Sequence, residues 1–139
     1  MGVWDETTIS DALYETLIAG EFEGHAIRVA FEGGEIRPPS VGIMPPAVPM
    51  EANGENWIVL DFVYSLNLYV PLTQAASPRA AQAKLAAFTM AVLETLNGDT
   101  SLGGAVKGLQ PSDPSPVPVQ IEQRDRKMLR RTLTFTVFG

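Results

Sequence analysis

His25 is the single imidazole in this 139-residue chain, and cysteine is absent. Those two counts bound the chemistry. There is no thiolate nucleophile, no disulfide framework and no zinc site of the Cys type, and one histidine excludes a multi-His metal site. His25 follows Gly24 at the start of an expected strand. Its imidazole could act as a base near neutral pH, but no Ser or Cys nucleophile motif accompanies it. The residues favour a surface or half-buried histidine at a strand edge. Gly33-Gly34 and Gly103-Gly104 lack the order of strand, glycine-rich turn and helix start that a phosphate loop requires, and read as backbone turns. Asp61 is the one charged residue within a long apolar run. A lone carboxylate has no second acid to share hydrolysis with. A structural role fits better, facing solvent or paired across strands, with Arg131 as a candidate partner. No catalytic, cofactor-binding or metal-ligating set emerges, and an enzyme is not expected.

The charge layout says more. The net charge is −6, but residues 1–61 carry eleven acids and two bases while residues 62–139 carry five acids and eight bases, a split of −9 and +3. Five of the ten bases are Arg124, Arg126, Lys127, Arg130 and Arg131. One reading is a solvated hairpin tip between the last two strands. A second is electrostatic complementarity, in which the basic hairpin of one subunit meets an acidic surface of its neighbour; head-to-tail contacts of that kind close into rings. A third is contact with nucleic acid. It would rest on backbone attraction alone, since the hairpin has no interleaved aromatics and the chain is acidic overall.

The elements that hold these residues follow from periodicity. A chain of this length fits a single domain, 1–139, able to bury roughly 68–70% of its unfolded surface. Ile9, Leu13 and Leu17 predict a short helix capped by Ser10 and stopped at Gly20. His25 to Phe31 reads as a strand. Pro38 to Pro49 contains five prolines and reads as an extended loop reaching away from the body, with Val41 and Ile43 at most a short edge strand. Trp57 to Val70 alternates without interruption and predicts one strand of roughly 48 Å, long enough for one end to project beyond the domain or pair with another chain. Ser77 caps, and Pro78 opens, a helix with an apolar stripe of Ala81, Leu85, Phe88, Val92 and Leu96. Pro111 to Pro118 is a connector. A strand through Val119 and Ile121 and a last strand from Met128 to Phe138 follow. This order is α+β: a mainly antiparallel sheet packed on one face by an amphipathic helix, with a short N-terminal helix and a proline-rich extended loop. Met1 to Ser10 lacks the basic and apolar regions of a signal peptide, and Trp57 to Val70 is too short and too polar to span a membrane. A soluble protein is therefore expected.

The chain resembles a family at this point. The long strand ends in Tyr69-Val70-Pro71-Leu72. The helix follows the pattern Ala-Leu-x-x-Phe-x-x-x-Val-Leu-x-x-Leu-Asn-Gly, with Lys84 in the alanine position. Asp99-Thr100-Ser101-Leu102-Gly103-Gly104-Ala105-Val106 comes next, and a basic turn and a Leu-Thr-Phe-Thr-Val-Phe strand close the chain. This order looks like the tail terminator, or tail completion, and related head–tail joining proteins of long-tailed bacteriophages. The resemblance implies a structural virion protein of the tail neck, assembled in the host cytoplasm. It would form a homo-hexameric ring that caps the tail tube, stops its polymerisation and docks on the head connector. DNA would pass through without specific binding, and no cofactor is implied. Another connector or a tube-forming subunit is the nearest alternative. A binding module using Trp57, Asp61 and Tyr69 is a further one. From composition, the interface candidates are Pro38, Pro39, Ile43, Pro45 and Pro46 in the proline-rich loop, and Arg124, Arg126, Lys127, Arg130 and Arg131 in the basic hairpin.

Overall fold

The computed structural model describes residues 6–59, 61–73, 77–111 and 117–138. The elements are α1 (Glu6–Ile18), β1 (Glu21–Phe22), β2 (His25–Ala26), β3 (Val29–Phe31), β4 (Ser40–Ile43), β5 (Met50–Asn53), β6 (Asn56–Val59), β7 (Phe62–Pro71), α2 (Pro78–Gly98), β8 (Gly108–Pro111), β9 (Val119–Gln123) and β10 (Arg126–Phe138). The fold is α+β. A six-stranded sheet runs in the order β3-β4-β7-β10-β8, with β9 also on β10, and two small hairpins, β1-β2 and β5-β6, stand outside it. All pairings are antiparallel except β3 with β4.

The β7–β10 ladder is the centre of the sheet, continuous from Met128↔Pro71 to Val137↔Phe62. Side chains alternate across a strand, so Phe62, Tyr64, Leu66, Leu68 and Val70 share one face, and all are buried. Leu129, Leu133, Phe135 and Val137 of β10 line the same side. Across them lies α2, whose expected stripe of Ala81, Leu85, Phe88, Val92 and Leu96 is buried. Its start is as anticipated: Pro78 sits in the first turn, and the Ser77 hydroxyl accepts the Ala80 N–H at 3.1 Å. Each fully buried Leu, Val or Phe contributes roughly 1.5–3 kcal/mol of transfer free energy, which exceeds what helix propensity supplies.

Four expectations need correction. The first helix begins at Glu6, so Ser10 lies inside it and does not cap it. The hydroxyl is instead 2.7 Å from the Tyr64 hydroxyl, because a phenol on the helix-facing side of β7 needs a polar partner once buried. Secondly, the strand expected from His25 to Phe31 is two short strands, His25–Ala26 and Val29–Phe31, in different sheets.

The third correction concerns the proline-rich segment. Its middle is an interior strand, since β4 lies between β3 and β7 and all four of its residues are buried. The prolines flank the strand without occupying it, and Pro45-Pro46 falls in a β-bulge. Residues 44–46 on one side face residues 64–65 on the other, between the Ile43↔Leu66 pair and the Ala47↔Val63 bridge. A bulge is where a ladder tolerates a residue without an N–H.

Finally, the long strand is two. β6 ends at Val59 and β7 begins at Phe62. The piece before the break pairs with β5 as a separate hairpin. One end of the alternating run does leave the sheet.

Phe88 is fully buried and its ring lies 4.8 Å from that of Phe22. Phe88→Ala is expected to lower unfolding free energy by about 3–5 kcal/mol. Met90→Ala, on the exposed side of the same helix, should change it by less than about 0.5 kcal/mol. Urea unfolding of both variants measures the contrast.

Candidate interface at the two ends of the long ribbon

β4, the arm β5-β6 and β7 form one ribbon, and its two ends carry the features that could meet a partner. At one end is the arm. Its register sets Met50 opposite Val59, Ala52 opposite Trp57 and Asn53 opposite Asn56, so Met50, Ala52 and Trp57 share a face. Trp57 is 71% exposed and Met50 59%. Residues 50–57 are exposed throughout, with Glu51 and Glu55 on the arm and no basic residue. The two turn residues are Gly54 and Glu55, with Gly54 at φ 66°, and a glycine at the first turn position was the sequence signal that could have located the hairpin.

At the other end is the β9–β10 turn. Arg124 and Asp125 both take left-handed backbone, φ 50° and 62°, which closes a two-residue hairpin with the twist its strands need. The turn is joined to residues 33–37. Gln123 Oε1 accepts the Ile36 N–H at 2.8 Å. Glu35 lies 3.8 Å from Arg126, 3.9 Å from Arg37 and 4.0 Å from Arg124. These arginines are mostly exposed, so each pair contributes little, about 0–1 kcal/mol. Beside them opens a cleft of about 660 Å³. Arg28, Arg37, Arg126 and Lys127 line it against Glu35 and Asp125, with Pro38, Pro71 and Leu72 as apolar wall. Arg28 donates to the Arg37 carbonyl at 2.9 Å, holding that side of the cleft together.

The basic residues anticipated as one group therefore divide. Arg124, Arg126 and Lys127 stand at the tip. Arg130 pairs with Tyr69 on the face away from α2. Arg131 turns to the helix side, where it donates to the Thr89 hydroxyl at 3.1 Å while its Nε has no protein partner. It is not a surface residue awaiting a neighbour. Nor does it meet Asp61. Arg131 pairs with Leu68, and Asp61 lies seven positions away along the ribbon, roughly 24 Å at strand rise. The prolines divide too: Pro38 borders the basic cleft, Pro39 a shallow recess beside His25, and Pro45 and Pro46 a groove along α1. Ile43 is 2% exposed and belongs to the core, so it presents nothing to a partner. The grouping of Trp57, Asp61 and Tyr69 is not assembled either, because Trp57 is on the arm and Tyr69 is buried near the far end of β7.

Glu32 was missed at the sequence level. Its Oε1 accepts the Tyr69 hydroxyl at 2.6 Å and the Asn67 amide at 3.1 Å, and Thr132 donates to the Asn67 Oδ1 at 2.7 Å. The carboxylate lies over Gly42, where a Cβ would collide with it. This network covers the outer face of the sheet next to the cleft. Burial and the hydrogen bond to Glu32 push the Tyr69 phenol well above its ordinary ionisation range. Asp99 organises the turn after α2: it accepts from the Ser101 hydroxyl at 2.8 Å and the Gly103 N–H at 2.7 Å. Those bonds hold its carboxyl below the usual range. The Gly103-Gly104 amides thus already face the chain's own hydroxyl and carboxylate, which suits a structural turn. His25 is exposed on the β1-β2 hairpin.

Among the described residues no three His, Cys, Asp or Glu side chains come together as a metal site, and no helix is long and apolar enough to cross a membrane. No protein-family model matches the sequence, and no curated protein is significantly similar to it.

The Tyr69 arrangement has a pH consequence. The folded chain holds the phenol proton more tightly than the unfolded chain, so stability is lost as pH rises above about 10. Tyr64 is shifted the same way, chiefly by burial. Tyr69→Phe should cost about 1–3 kcal/mol at pH 7, because the Glu32 carboxylate loses a donor, and should flatten the alkaline decline. Unfolding midpoints from pH 7 to 11 for both chains measure this.

Proposed function

We propose that this chain is a structural subunit that assembles with copies of itself into a ring, acting as a tail terminator at the head–tail junction of a long-tailed bacteriophage. One observation carries the self-assembly part: the arm is a two-stranded hairpin outside the sheet, with Trp57 and Met50 exposed on one face. An isolated two-stranded hairpin is marginal in water. Exposed aromatic and Met side chains of this kind are the anchors of protein–protein contacts. The virion role draws on the order of elements and on the Asp99–Val106 and closing-strand motifs. A ligand-binding module would be better served by an enclosed pocket, and the basic cleft opens to solvent.

The ring would cap the tail tube and meet the head connector, as a virion component without catalysis. Electron microscopy and native mass spectrometry of the purified chain, alone and with tail tubes of the encoding phage, test the reading. Closed rings are the expected result, six-fold in the tail-terminator form. An open polymer would point to a tube-forming subunit. A monomer that remains monomeric with tubes present overturns the proposal. Trp57→Ala is expected to weaken assembly by about 2 kcal/mol or more, the scale of an interface anchor. Its fold should be little changed, since the side chain is exposed. Sedimentation together with circular dichroism separates the two effects.

A further inference from the structure

The two ends of the ribbon are unlike and complementary. Arm residues 50–59 carry Glu51 and Glu55 and no cation. The cleft beyond β7 is lined by Arg28, Arg37, Arg126 and Lys127, against which it sets Glu35 and Asp125. Glu35 meets its arginines at 3.8–4.0 Å, the outer limit of an ion pair. Each guanidinium has five donors, so the cluster retains capacity for further carboxylates. The apolar groups match as well: Met50 and Trp57 on the arm, Pro38, Pro71 and Leu72 at the cleft.

The arm cannot reach the cleft of its own chain. β7 lies between them, ten residues from Phe62 to Pro71, roughly 30 Å at strand rise. We infer that the acidic arm of one copy seats in the basic cleft of the next. This inference rests on the reading of the chain as a self-assembling subunit and names the two surfaces that meet. Because they differ, the contact is heterologous, and repetition produces a closed ring or an open helix according to the rotation per step. Its ionic part weakens as salt rises.

The absence of native cysteine allows a direct test. Asn56→Cys places one thiol on the arm, and Thr73→Cys places one at the cleft; both positions are exposed and uncharged, so the charges of both surfaces are kept. The two single variants are mixed and treated with a short bis-maleimide. Asn56→Cys mixed with Glu94→Cys, an exposed position on α2, is the control. Seating raises the local thiol concentration, so the Asn56–Thr73 heterodimer should exceed the control on the order of tenfold. The double variant should give a ladder of covalent oligomers. A heterodimer yield no greater than the control overturns the inference. Native mass spectrometry of the unmodified chain then separates the two failures. Oligomers without the crosslink leave the self-assembly reading standing on another surface. Monomers without it remove both.

Discussion

The pairing of β7 with β10 is the constraint from which the rest of the molecule follows. It is the longest ladder in the sheet, and alternation along it delivers an apolar face from both strands to the same side. That face requires a cover, and α2 with its stripe from Ala81 to Leu96 supplies it. Remove the register and every buried side chain of β7 changes sides, because the period of a strand is two. The other elements attach to what remains open: β4 on the far edge of β7, β8 and β9 along the far edge of β10, and α1 against Tyr64 through Ser10.

The outer face of the same ladder is built differently. Ser65 and Thr134 hydroxyls are 3.1 Å apart, and Thr132, Asn67, Glu32 and Tyr69 form a connected set of hydrogen bonds. Polar groups beneath a loop are costly unless paired, and here they are paired with one another. The sheet therefore settles its polar needs internally along its middle, while the Arg124–Lys127 turn lies at one end of the β7–β10 ladder and the arm with exposed Met50 and Trp57 lies past the other.

How much of this was legible in the residues depended on whether the signal was local. The α2 stripe and the apolar parity of β7 and β10 were legible, because one-sided burial leaves a period in the sequence. The interior position of β4 was not, since Pro38-Pro39 and Pro45-Pro46 suggested a loop and only the ladder shows that they bracket a strand. The division of the long strand between Val59 and Phe62 was hidden because alternation continues through both pieces. Composition located the basic turn. It could not separate Arg131, which faces α2, from Arg126 and Lys127 at the tip. Nor could it find Glu35 or the bond between Ile36 and Gln123, which join segments 87 positions apart.

The turn Arg124-Asp125 has one more implication. Both residues adopt left-handed backbone, a conformation that costs a side-chain-bearing residue roughly 1–2 kcal/mol in general and less for Asp. Asn-Gly would adopt it with less strain. The chain thus keeps a guanidinium and a carboxylate at the point where the backbone would favour neither. Stabilising this turn and preserving its charge are opposed aims. A variant selected for thermal stability alone would tend to replace the residues that give this end of the molecule its electrostatic character.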